Sequence, residues 1–152
     1  MKPFTAETIL NTYGDMLYRT AYSMLFHHAD AQDAVQDTLI RYLQKKPSFN
    51  DEEHCRAWLL RVLINRCHDL QRQRRHTETA DDLQIVSEDK HLYVFETLSK
   101  IPMQYREVLV LKSLYGYSDT EIARMIHRTP SAVKMRMKKA RELFREAYDD
   151  RK

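Results

Sequence analysis

The chain has 152 residues, of which 43% are hydrophobic and 31% charged, with a net charge of +3 at neutral pH. That is enough apolar material for the core of one large domain or two small ones, and no apolar run reaches the roughly 20 residues that span a bilayer. Two cysteines make no disulfide framework, and the opening MKPFTAETIL lacks the apolar core and cleavage site of a signal peptide, so the cytoplasm is the expected compartment.

Only two Gly and four Pro, with few strand-like alternations, point to an all-α protein. The charge is unevenly spread. Residues 1–75 carry a net +2, residues 76–100 a net −4 and residues 101–152 a net +5. Two neutral-to-basic blocks therefore flank an acidic stretch, and a basic segment suits nucleic acid. We read two small helical domains, residues 1–75 and 93–152, joined by an acidic linker over 76–92 (HTETADDLQIVSEDKHL).

The first block predicts about four helices. One runs from Thr5 to Tyr13 and a second from Asp15 to Phe26, separated at Gly14. Asp30 is the expected cap of a third, Ala31 to Gln44, which ends near Pro47. Its apolar stripe is Val35, Leu39, Tyr42 and Leu43. The opposite face carries Asp33, Asp37, Ile40 and Gln44, an apolar residue ringed by carboxylates that fits either an ordinary acidic solvent face with one stray Ile or a protein-docking surface. The loop Pro47 to Cys55 (PSFNDEEHC) is the longest of this block, and loops on helical scaffolds often carry function.

The fourth helix spans Arg56 to Arg74, with Leu59, Val62, Leu63 and Leu70 on its core side. Arg61, Asn65, His68 and Arg72 form a polar stripe across from it, with Trp58 and Asp69 at its edge. Cations, an amide and an aromatic suit either a surface that tracks single-stranded nucleic acid or a solvated face beside a core Trp. The pairs His54-Cys55 and Cys67-His68 resemble metal ligands. On one helix, however, the two cysteines stand about 18 Å apart, so no metal site is expected.

In the second block Pro102 starts a helix over Met103 to Leu114, and Gly116 breaks it. Ser118 with Glu121 forms a capping box that opens another short helix. Thr129 is an N-cap and Pro130 a first-turn proline, so a second helix follows after a turn of only His127 to Thr129. This is the sequence form of a helix-turn-helix, whose second helix usually enters the DNA major groove. On that helix Val133, Met137, Ala140 and Phe144 share a stripe that should pack on Ile122, Ala123 and Ile126. Ser131, Lys134, Met135, Lys138 and Lys139 lie opposite, flanked by Arg136, Arg141 and Arg145. Long cations there can neutralise phosphates, and Lys can donate to guanine edges. No glycine-rich phosphate loop exists, with Gly14 and Gly116 the only glycines, and no nucleophile arrangement is recognisable. No enzyme activity and no cofactor are expected.

Taken together, these segments resemble the small two-domain sigma factors of the extracytoplasmic-function group. DAQDAVQDTLIRYLQK is similar to that family's region 2 signature, and RAWLLRVLINRCHDLQRQRR to the segment that follows it, although Cys55 stands where the family usually has Phe. IPMQYREVLVLKSLYGYSDTEIARMI and TPSAVKMRMKKARELFR are similar to region 4. The resemblance covers nearly the whole chain in order.

It implies that Asp33, Gln36, Asp37, Ile40 and Arg41 dock on the β′ clamp helices of core RNA polymerase. It implies that Asn50, Asp51, Glu52, Glu53 and His54, with Trp58, Arg61, Asn65 and Asp69, hold an unstacked base of the −10 element. Thr129, Ser131, Lys134, Met135, Arg136, Lys138, Lys139 and Arg141 would read the −35 element. The second domain would also meet the β flap. The acidic linker would lie in the RNA path of the polymerase. An anti-sigma factor is a further expected partner, one that can hold the chain at the membrane. The competing reading is a stand-alone helix-turn-helix regulator that never joins polymerase.

Overall fold

The computed structural model describes residues 5–74 and 90–150, and among them there are seven helices and no strand. The chain divides into two compact units, Met1–Ala80 and Asp81–Lys152. The expected linker over 76–92 lies outside the described residues except for its last three positions, which belong to a helix.

The first unit holds α1 (Ala6–Leu25), α2 (His28–Lys45) and α3 (Glu52–Arg74), each packed on the other two. The Thr5 hydroxyl caps α1 by accepting the Thr8 N–H at 3.1 Å. The expected break at Gly14 does not occur, and α1 is one helix. A mid-helix glycine costs about 1 kcal/mol relative to alanine. Burial of Ile9 on one side of it and of Leu17, Ala21 and Met24 on the other outweighs that cost. A Cβ at Gly14 would stand 3.2 Å from Leu10 Cδ1, a tight contact that glycine avoids.

The cap of α2 is His27 rather than Asp30. The His27 ring Nδ1 accepts the Asp30 N–H at 3.2 Å, and the Asp30 side chain turns inward to pair with Arg74 at the end of α3. The buried face of α2 is also rotated from the expected stripe. Ala31, Ala34, Val35, Thr38 and Tyr42 are buried, whereas Leu43 is 53% exposed. The two alanines and Thr38 let α2 sit between α1 and α3, so the small residues face inward and Leu43 is carried past the contact. On α3 the core face is wider than one stripe. Leu59, Leu60, Leu63, Ile64, Cys67 and Leu70 are all buried because α3 packs on two helices at once.

The second unit holds α4 (Lys90–Ser99), α5 (Met103–Ser113), α6 (Asp119–Ile126) and α7 (Pro130–Asp149), with α7 packed on the other three. Gly116 takes φ +72, a left-handed conformation that glycine adopts without a Cβ clash. Its N–H donates to the Lys112 carbonyl and the Tyr117 N–H to the Leu111 carbonyl, so the chain turns out of α5 at this left-handed glycine. Val108, Leu111, Ile122, Val133 and Ala140 are fully buried at the centre. So is the Glu107 side chain, which accepts from Arg136 Nη1 at 3.4 Å. Beside it, burial lowers the Arg106 guanidinium to about 10, and the Glu107 charge opposes that shift.

Candidate nucleic-acid interface

Two surfaces carry the candidate residues, one on each unit. In the first unit α2 and α3 border an open groove of about 430 Å³. From α2 it is lined by Asp37, Ile40, Arg41 and Gln44, and from α3 by Val62, Asn65, Arg66 and Asp69. The groove therefore brings together three of the residues expected to dock protein and two expected to hold a base. Ile40 is 49% exposed in its wall. Asp33 and Gln36 are exposed on α2 but do not line the groove, and Arg61 is exposed on α3.

The groove is not uniformly charged. Arg66 donates through Nε to the Asp37 carboxylate, and Arg72 pairs with Asp69. The Asp69 carboxylate thus carries a partner, which moderates its repulsion of nearby phosphate. Arg66 was not distinguishable as a functional residue in the sequence. Its partner lies 29 positions away, and only the crossing of α2 and α3 brings the two together.

The expected base-holding loop is shorter than the sequence suggests. Glu52, Glu53 and His54 form the first turn of α3, and only Asn50 and Asp51 precede it. The reason is local. The Asp51 carboxylate accepts the His54 N–H at 2.7 Å, and acidic Glu52 and Glu53 suit the positive end of a helix. His54 Nδ1 accepts the Asn50 N–H at 3.2 Å, and Glu53 pairs with Arg56 at 2.8 Å. Beneath this turn the Phe49, Tyr42 and Trp58 rings contact one another, with centroids 6.0–6.3 Å apart. Trp58 is half-buried in that cluster, so it supports the segment more than it lines the groove.

Both cysteines lie on α3 and both are fully buried. Burial pushes the Cys55 thiol up to about 11, partly offset by a hydrogen bond with Tyr13. Burial likewise raises the Tyr13 and Tyr42 hydroxyls.

In the second unit the helix-turn-helix is built by its caps. The Ser118 hydroxyl accepts the Glu121 N–H, and the Glu121 carboxylate accepts the Ser118 N–H, each at 3.2 Å. His127 turns the chain at φ +58, and the Arg128 N–H returns to the Ala123 carbonyl at 2.9 Å. The Thr129 hydroxyl then accepts the Ala132 N–H at 3.1 Å and starts α7 at Pro130.

On α7 Val133, Met137 and Ala140 are buried, and Phe144 is half-buried. Ser131, Lys134, Met135, Lys138 and Arg141 are exposed and border an open groove of about 600 Å³, together with Lys112 and Asp119. Thr129 and Lys139 are exposed as well. Lys112 Nζ meets Asp119 Oδ1 at 3.0 Å in that groove. Arg136 departs from the expected row. It turns to the buried Glu107 and is only 20% exposed in its side chain, because an uncompensated carboxylate in the core costs more than a solvated cation gains.

Comparison with known proteins gives one family for both units. The model of sigma-70 region 2 matches residues 9–77, and that of sigma-70 region 4 matches residues 91–144. The ECF RNA polymerase sigma factor EcfG of Rhodopseudomonas palustris is 31% identical over 73% of this chain and 67% of its own. Among solved structures, CnrH in complex with the cytosolic domain of CnrY superposes with a TM-score of 0.69 at 28% identity, over 95% of this chain and 88% of that one. The sigma factor RpoE in complex with the anti-sigma factor NepR from Bartonella quintana shares the fold, with a TM-score of 0.76 at 23% identity, over 94% and 96%.

Proposed function

The chain belongs to the sigma-70 family, in its extracytoplasmic-function group, and on that premise we propose how its two surfaces divide the work of transcription initiation. It is a sigma factor that joins core RNA polymerase and directs initiation at chosen promoters. Asp37, Ile40 and Arg41, with Asp33 and Gln36 beside them on α2, dock on the β′ clamp helices. Asn65 and Asp69, with Asn50, Asp51, His54 and Arg61, hold a base of the −10 element. The α2–α3 groove carries this reading, because docking and base-holding residues share its walls. Polymerase binding is thereby adjacent to strand opening.

The row Ser131, Lys134, Met135, Lys138, Lys139 and Arg141 on α7 reads the −35 element. Arg136 acts behind it by holding α7 on α5 through Glu107. An anti-sigma partner is supported by the solved complexes, in one of which the sigma factor RpoE is bound by the anti-sigma factor NepR and in the other CnrH by the cytosolic domain of CnrY. No helix among the described residues is long and apolar enough to cross a membrane. We place the chain in the cytoplasm, with any membrane attachment supplied by that partner.

Permanganate footprinting of the reconstituted holoenzyme tests the −10 assignment. Unpaired thymines should react in the wild-type complex and react less with Asn65→Ala at equal core occupancy. Equal reactivity would remove Asn65 from the base site. A regulator acting without polymerase would have no use for the α2–α3 groove.

A further inference from the structure

We propose that Met135 reads the C5-methyl group of a thymine in the −35 element, which makes it a specificity-determining residue of α7. This inference rests on the reading that α7 enters the major groove. Met135 is 74% exposed, more than any other exposed large hydrophobic side chain among the described residues. Its neighbours in sequence turn elsewhere. Arg136 reaches Glu107, and Met137 and Val133 are in the core. Met135 instead borders the open groove with Ser131, Lys134 and Lys138.

The chemistry of that groove selects the occupant. Three lysines and Arg141 on the exposed side of α7 match a polyanion and would fix where phosphates run. Phosphate contacts position the helix but carry no sequence information. An exposed thioether in such a row meets only one apolar group in the major groove of unmodified DNA, the thymine methyl. Methionine is unbranched and polarisable, so it can cover a methyl without demanding one rotamer. The lysines favour guanine edges, and Met135 adds a preference for thymine over cytosine that lysine cannot supply.

The test uses holoenzyme assembled from core polymerase and the full chain. A library randomised across the −35 element first defines the preferred sequence. Each thymine is then replaced by uracil, which keeps every hydrogen-bonding group and loses the methyl. At one position the wild type should lose about fourfold in promoter binding, the ratio expected for removing one buried methyl. Met135→Ala and Met135→Gln should show no uracil penalty there, and Lys138→Ala should retain it. At the same position 5-methylcytosine should bind better than cytosine for the wild type only. Met135 is solvent-exposed, so its variants should melt like the wild type. An equal uracil penalty in wild type and both Met135 variants, or none in the wild type, would overturn the assignment while leaving α7 as the −35 reader. A library with no −35 preference at all would overturn both.

Discussion

Arg66 of α3 donates to the carboxylate of Asp37 of α2, and both line the groove in which the docking and base-holding residues meet. The side chains are 33% and 40% exposed, so the pair contributes no more than about 1 kcal/mol to stability. Its weight lies in orientation. The pair fixes the Asp37 carboxylate on the groove wall beside Ile40 and Arg41.

Replacing Asp37 should therefore separate docking from folding. Asp37→Arg is expected to abolish binding to core polymerase and to leave the helical signal and melting temperature close to wild type. A pull-down with core polymerase, read beside a thermal melt, checks both. Unchanged core affinity would remove Asp37 from the docking surface.

A different pair holds the second unit together. Glu107 is fully buried and forms an ion pair with Arg136 across α5 and α7. Arg136→Ala should destabilise the unit by about 3 kcal/mol, near the lower end for a broken buried pair, since the Arg106 charge also lies close to Glu107. Urea unfolding of the full chain followed by circular dichroism reads the loss. A loss below about 1 kcal/mol would mean that Glu107 is satisfied without Arg136.

Cys55 gives a pH signature. Burial raises its thiol from the ordinary 9.0 to about 11, so the folded state retains a proton that the unfolded chain gives up. The stability it contributes is complete below pH 9 and is lost as pH rises through 11. The first unit should melt at lower temperature on going from pH 9 to pH 11, and less steeply in Cys55→Val. Parallel curves for the two proteins would assign the loss to other groups. The same burial predicts that thiol reagents modify Cys55 slowly at neutral pH until the chain is unfolded.

Lys138 tests readout on α7. Lys138→Ala should weaken −35-dependent initiation by roughly 1–3 kcal/mol if the lysine contacts a base edge. Run-off transcription on intact and scrambled −35 elements distinguishes the two kinds of contact. An equal loss on both would make Lys138 a phosphate contact.

What the sequence made legible was local. The capping box at Ser118 and Glu121, the Thr129-Pro130 helix start and the Gly116 turn all depend on residues within a few positions of one another. The exposed α7 row followed from the same short-range periodicity. Tertiary packing decided the rest. Gly14 stays helical because α1 is anchored on both sides of it, and Asp30 is drawn from its expected cap to Arg74, 44 positions on. Leu43 is exposed because Ala31, Ala34 and Thr38 take the contact. Arg136 looks like one more cation of the basic face until Glu107 is placed beneath it. Arg66 has no sequence signal beyond its charge.

The most direct measurement is a pull-down of core RNA polymerase with the purified chain, followed by run-off transcription on genomic fragments. The account predicts that the chain binds core and produces discrete transcripts absent with core alone, while binding promoter DNA weakly by itself because both units must be held in place to engage it. Failure to bind core, together with nanomolar binding of an operator by the chain alone, would contradict the account and identify a stand-alone regulator.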